Sequence, residues 1–144
     1  MTELDLDWSG LEILKFEECF ELLRSTPVGR LGFVDHGEPV ILPVNYALDG
    51  RSVVFRTAHG SKLSSAMLQR PVCLEVDEWD ATDHTGWSVL VRGIADEVLD
   101  DELIEHFLSL PVLPWTRPDL RHHWIRVMTE EVTGRRIVAT SSSG

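Results

Sequence analysis

The sequence is short of positive charge, and of lysine above all. Thirteen Lys+Arg stand against 24 Asp+Glu in 144 residues, giving a net charge of −11 with His neutral. Of the 13 basic residues 11 are Arg, and the only lysines are Lys15 and Lys62. A uniformly acidic chain repels phosphate backbones and anionic lipid, which argues against bulk nucleic-acid or membrane-surface binding. Cysteine is also scarce. Cys19 and Cys73 sit in no CxxC or Cys/His pattern, so free thiols in a reducing cytosol are expected rather than a disulfide or a zinc site. No apolar run reaches the roughly 18 residues of a transmembrane helix. The acidic start (Glu3, Asp5, Asp7) is unlike a signal peptide, so a cytoplasmic location is expected. Internal repeats, P-loop or Rossmann glycine spacing, and a Ser/His/Asp or Cys/His nucleophile set are all missing.

The histidines form no metal-ligand pattern. His122 and His123 precede Trp124, while His84 and His106 lie far away in sequence. Without ligand spacing or supporting partners, these are expected in structural or surface roles, with no metal.

What is there is enough apolar residue for a core, at 43% of the chain. One domain over 1–139 with a loose tail at 140–144 is expected. Phe16, Cys19, Phe20 and Leu23 recur at helical spacing, with Glu17, Glu18 and Glu21 between them, and the helix ends before Pro27. Strand signals dominate after it. Val28 to Val34 leads through Asp35-His36-Gly37 into Pro39 to Ala47, a hairpin pattern. Asp49-Gly50 marks a second turn into Ser52 to Thr57. A helix is expected over Ser61 to Gln69, strands over Val72 to Trp79 and Trp87 to Val98, and a third helix over Asp101 to Leu110. Asp100, Asp101 and Glu102 form an acidic cluster suited to that helix start. Trp124 to Val138 carries one or two closing strands. About six strands joined by tight turns argue for an antiparallel barrel with peripheral helices, not a doubly wound sheet.

The most informative stretch runs Phe55-Arg56-Thr57-Ala58-His59-Gly60-Ser61-Lys62-Leu63. It passes from a strand end through a glycine turn into a helix start, where free backbone N–H groups and the helix dipole favour an anion. Thr57 and Ser61 add hydroxyls; Arg56 and Lys62 add cationic donors that a phosphate can share. One such residue alone reads as a cap or a surface charge. All four within seven residues of an acidic chain point to an anion site, and His59 lies within the same loop. Upstream, Leu42-Pro43-Val44-Asn45-Tyr46 places a proline mid-strand. Because Pro cannot donate to a ladder, this strand is expected at an edge or bulge, with backbone groups left for a flat heteroaromatic ring.

In this order, VGRLGFV, PVILPVNY, VVFRTAHGSKL, VCLEVDE, TGWSVLVRG and VTGRR resemble the pyridoxamine 5'-phosphate oxidase-like flavin-binding split-barrel proteins. The resemblance covers about residues 11 to 138 and is nearest to the short bacterial subgroup, not to the authentic vitamin B6 oxidases. It implies a mainly β fold, a six-stranded antiparallel split β-barrel, in a homodimer holding FMN in clefts between subunits. By that resemblance Arg56, Thr57, Ser61 and Lys62 grip the FMN phosphate. The backbone of Pro43, Val44, Asn45 and Tyr46 lies along the isoalloxazine ring. Ser88 reaches the flavin from the partner subunit, with Trp87 walling the cleft, while Trp115 and Arg117 stand as further candidates. Trp79 and Trp124 are expected in the core or at the dimer interface. The Arg/His set that binds substrate phosphate in the vitamin B6 oxidases is replaced here by Val132 to Ile137 and a Ser-rich tail, so pyridoxamine phosphate oxidation is not implied. Relatives that use F420 or bind haem make these the alternative cofactors. The expected activity is flavin-dependent oxidoreduction of a small molecule, with a non-catalytic binding, carrier or sensor role as the alternative. No side chain is assigned as catalytic.

Overall fold

The computed structural model describes residues 4–58, 62–112 and 122–138. In chain order the elements are β1 (Glu12–Ile13), α1 (Phe16–Arg24), β2 (Val28–Asp35), β3 (Glu38–Asp49), β4 (Ser52–Ala58), α2 (Lys62–Met67), β5 (Pro71–Asp80), β6 (Thr85–Val98), α3 (Asp101–Leu108) and β7 (His122–Arg136). Every strand pairing is antiparallel. The six long strands close in the order β2-β3-β4-β7-β6-β5 and back to β2, as the strand-rich sequence implied. Two residues of β1 add to the end of β7, a pairing too short to leave a periodic signal.

Local chemistry explains the turns. His36 and Gly37 both take positive φ, 50° and 80°, which is the hairpin turn that matches strand twist between β2 and β3. Gly50 takes φ 60° in the turn from β3 to β4. The helix over α2 stops at Met67, short of the expected Gln69, because Gln69 adopts φ 61° and donates its N–H to Ala95 O across to β6. The acidic cluster works as expected: the Asp100 carboxylate accepts from the N–H groups of Glu102 and Leu103 and caps α3.

Inward residues alternate along each strand and fill the barrel with Leu31, Val53, Phe55, Leu74, Val89, Val91 and Ile125, all at most 1% exposed. The α1 face of Cys19, Phe20 and Leu23 joins this core. Burying one such Phe or Leu contributes about 1.5–3 kcal/mol. Outside the barrel, α3 lays Phe107 against Val54, Val98 and Trp124. Of the two tryptophans expected in the core or at a dimer interface, Trp124 is buried within this chain whereas Trp79 is 58% exposed.

β7 is one 15-residue strand with an irregularity in its pairing to β6. Arg92 pairs with Glu131 but Gly93 pairs with Thr129, which leaves Glu130 as the extra residue of a bulge. Gly93 is required there, since a Cβ would stand 2.1 Å from the Met128 carbonyl oxygen. Beyond the bulge, even-numbered residues of β7 turn outward and odd-numbered ones inward on the side of β4, which sets the faces of Trp124, Arg126 and His123.

Candidate functional site

The barrel is split between β3 and β4. Their pairing spans Tyr46↔Phe55 to Asp49↔Ser52 and stops there, although β3 continues back to Glu38 and β4 continues to Ala58. The free part of β3 is held by β2 alone, from Val28↔Asn45 to Asp35↔Glu38. The free part of β4 is held by β7 alone, through Arg56↔Trp124, Thr57↔His123 and Ala58↔His122. Pro43 and Asn45 thus form one lip of the split, and Arg56 and Thr57 begin the other.

Backbone direction follows from one bond. Tyr46 N–H donates to Pro27 O at 3.1 Å, on the β2 side. Alternation along the strand then points the Val44 N–H toward β2 and turns the Asn45 N–H and the Pro43 carbonyl into the split. Pro39 and Pro43 occupy positions whose N–H would face the open edge, where a missing donor costs no ladder bond. The edge expected from Pro43 is therefore present, and it carries unpaired backbone groups of both kinds.

On the opposite lip the structure separates residues that sequence places side by side. Arg56 points outward, its guanidinium carbon 5.1 Å from the Trp124 ring centroid. Thr57 points inward, on the same face as Phe55. Arg56 Nε and Thr57 Oγ1 are buried without a hydrogen-bond partner, at a cost of about 1–3 kcal/mol each unless a ligand or water meets them. Lys62 begins α2 just beyond the lip. At six residues α2 has a weak dipole, and the Lys62 side chain at its start lies outside what the structure describes. Ser61 and His59, like Trp115 and Arg117, lie outside the described residues.

A polar group that the sequence assigned only a structural or surface role lines the inner side of this lip. His123, the ladder partner of Thr57, bonds through Nδ1 to Glu97 Oε1 on β6. Its only sequence signal was a histidine at an inward strand position, which spacing alone does not reveal. On the outer side, Arg126 Nη2 lies 3.5 Å from Asp96 Oδ2, and Arg126 Nε and Asp96 Oδ1 are likewise buried without partners.

Tyr46 contributes its backbone to the edge, while its side chain belongs to the core. Its hydroxyl donates to Leu23 O at 2.6 Å and accepts from the Thr26 hydroxyl at 2.8 Å. Burial raises its pKa above the ordinary phenol value, against a smaller opposing effect of the Thr26 hydrogen bond.

Trp87 and Ser88 stand apart from the split within one chain. They lie at the start of β6, ten and nine residues from Glu97 respectively, or about 30 Å along the strand. Trp87 faces inward against the core, and Ser88 faces outward opposite Asp77. Trp79, Trp87, Glu12 and Arg136 line a groove of about 790 Å³ at this end. Arg136 Nη1 is 3.5 Å from both Glu12 and Glu18, so its charge is already matched and, among the described residues, the groove offers no spare cation for a phosphate. Among the described residues no group of three or more His, Cys, Asp or Glu is arranged to hold a metal, and no helix is long and apolar enough to cross a membrane. Cys19 is buried and Cys73 half-buried, both as free thiols.

Comparison with known proteins agrees with this architecture. The family model for pyridoxamine 5'-phosphate oxidase matches residues 15–136. A FAD-binding protein from Mycobacterium smegmatis is 38% identical, over 87% of this chain and 97% of that one, with a TM-score of 0.75. A FAD-binding protein from Mesorhizobium loti is 25% identical, over 88% and 96%, with a TM-score of 0.65. An uncharacterised protein of Mycobacterium tuberculosis is 37% identical over 141 residues, 92% of this chain and 91% of that one. With its closed ring of six strands, its split beside Pro43 and a family match across most of its length, the chain belongs to the pyridoxamine 5'-phosphate oxidase-like split-barrel family.

Proposed function

We propose that this protein binds a flavin in the β3–β4 split and uses it for hydride or electron transfer to a small molecule. The carrying observation is the pairing of two unsatisfied lips: the open edge at Pro43 to Asn45 on β3, and β4 beyond its last pair with β3, where Arg56 Nε on the outer side and Thr57 Oγ1 on the inner side are buried without partners. An isoalloxazine ring has imide and pyrimidine edges that both donate and accept, which is what alternating N–H and C=O groups of a free strand edge complement. Arg56 suits a phosphate, because a guanidinium donates in a fork that matches its oxygens. Thr57, Ser61 and Lys62 supply further donors from the same segment of sequence. When bound, the flavin supplies the redox chemistry; the chain orients the ring, holds the phosphate and sets the local field.

FMN contains every group these residues account for. FAD shares those groups, and the resemblance to FAD-binding proteins of two bacteria favours the dinucleotide as the second reading. A homodimer completes the site in this account, with the partner subunit's Ser88 brought to the split that a single chain leaves distant from it. The acidic surface fits a soluble enzyme of the cytoplasm.

The absorption spectrum of the purified protein, with mass analysis of the released cofactor, tests the reading. Flavin bands with FMN or FAD released support it and decide between the two. A deazaflavin band, a Soret band, or no bound chromophore after flavin is added would overturn it. NAD(P)H oxidation by the flavin-loaded protein then separates an enzyme from a carrier.

A further inference from the structure

The barrel parts at a second place, between β2 and β5. Their pairing runs from Arg30↔Glu75 to Gly32↔Cys73 and stops there, although β2 continues to Asp35. Each step forward on β2 is one step back on β5, so an unbroken ladder would set Asp35 opposite Arg70. Instead the two segments diverge, and a cavity of about 600 Å³ opens among Asp35, His36, Arg70 and the α2 residues Ser65 and Ala66. That volume lies within the roughly 300–1,000 Å³ of small-molecule sites. The cavity keeps apart two opposite charges that the ladder would have brought together.

Donors stand on one side of it and acceptors on the other. Arg70 is fixed by its backbone, whose N–H donates to Met67 O and whose carbonyl accepts from the Ala95 N–H. Its exposed guanidinium meets no carboxylate among the described residues, and the exposed Ser65 hydroxyl has no partner among them either. On the hairpin side, Asp35 Oδ1 accepts from His36 Nδ1 at 2.6 Å, which leaves Oδ2 as an acceptor. Glu38, the ladder partner of Asp35, adds a second carboxylate there. The His36 side chain is 96% exposed and offers a flat ring face.

The helix α2 joins this cavity to the β3–β4 split. It begins at Lys62, beside the lip read above as the phosphate end, and Ser65 lies three residues on, about 4.5 Å along the axis. A ligand running along α2 from that lip meets donors first, at Ser65 and Arg70, then an acceptor at Asp35, then a ring at His36. A flavin dinucleotide beyond its first phosphate presents a second phosphate, a sugar with two hydroxyls and a flat base, in that order. FMN ends at its first phosphate and fills none of these places. We infer that the cavity holds the AMP half of FAD. Ser65 and Arg70 donate to the second phosphate, the Asp35 carboxylate accepts from a ribose hydroxyl, and the adenine lies against the His36 ring. This rests on the flavin reading and selects the dinucleotide from its two forms.

Titration of the flavin-free full chain with FAD and, separately, with FMN tests it, the thermal transition of each variant being read alongside. The wild type is expected to bind FAD at least about tenfold more tightly than FMN. Arg70→Ala removes a guanidinium that supports no other contact among the described residues. It is expected to bring FAD to within about threefold of FMN, while FMN itself changes by less than about twofold. Ser65→Ala is expected to cost FAD about threefold and to spare FMN. A wild type that binds FMN as tightly as FAD would overturn the inference. So would an Arg70→Ala variant that weakens both flavins alike, which marks a general charge effect, or one that leaves the advantage of FAD intact. Protein that binds neither flavin overturns the flavin reading and this inference with it, whereas equal binding of both overturns this inference alone.

Discussion

Tyr46 and Phe55 form the last cross-strand pair between β3 and β4 before the strands part. Both are buried, at 2% and 1% exposure, and the Tyr46 hydroxyl ties this point to the end of α1 at Leu23 and to Thr26. The split therefore opens at a fixed boundary. Inside it an aromatic pair holds the strands together, and outside it Pro43 and Pro39 face the open edge without donors.

Tyr46→Phe keeps the ring but leaves Leu23 O and the Thr26 hydroxyl without their partner. The cost expected is about 1–3 kcal/mol. For a domain of this size the melting temperature falls by roughly 3–10 °C. Because burial raises the folded-state pKa of Tyr46, its contribution is complete below the ordinary phenol pKa of about 10 and is lost as pH rises through the higher folded value. Urea unfolding between pH 8 and 11 should show this alkaline loss in the wild type and less of it in the variant.

Arg56→Ala removes the guanidinium from the outer side of the lip, and Lys62→Ala removes the lysine at the start of α2. Each is expected to weaken FMN by about 1.5–3 kcal/mol, roughly ten- to a hundred-fold. Riboflavin carries no phosphate and should be nearly unaffected. Paired fluorescence titrations with both ligands check this, and equal losses would remove the phosphate assignment.

Asn45→Pro deletes one backbone donor that points into the split and has no ladder partner, so the sheet tolerates it as it tolerates Pro43. Asn45→Ala retains that N–H. The expected result is a folded Asn45→Pro variant with flavin affinity reduced about tenfold, beside an Asn45→Ala variant near wild type. If the two variants bind flavin alike, recognition by the strand edge is wrong.

Gly93→Ala drives a methyl group toward the Met128 carbonyl oxygen at the β6–β7 bulge. The backbone must shift to admit it, at an expected cost of about 1–3 kcal/mol. Urea unfolding is the measurement; an unchanged midpoint would mean that the bulge relaxes freely.

Several features were legible because a single residue dictates them. Pro43 announced an open edge because it lacks a donor, and His36-Gly37 announced a hairpin because its backbone needs positive φ. The strands showed through their apolar runs, and the ordered motifs carried the fold. Other features arise only in three dimensions. Arg56 and Thr57 are neighbours in sequence yet face opposite sides of β4, so a compact motif became two surfaces. Trp87 and Ser88 divide in the same way, one to the core and one outward. Nothing local marks Glu130 as a bulge, since it follows from how β6 and β7 must register. The Glu97–His123 pair joins two strands 26 residues apart, beyond what spacing along one element reveals.

The central claim is that the β3–β4 split holds a flavin, and stoichiometric titration tests it most directly. Flavin-free protein is titrated with FMN and, separately, with FAD, and the change in flavin fluorescence is followed to saturation. The account predicts saturable binding at one flavin per chain for at least one of the two, lost in the Arg56→Ala, Lys62→Ala double variant. Fluorescence that matches free flavin at every protein concentration, for both ligands, would contradict it.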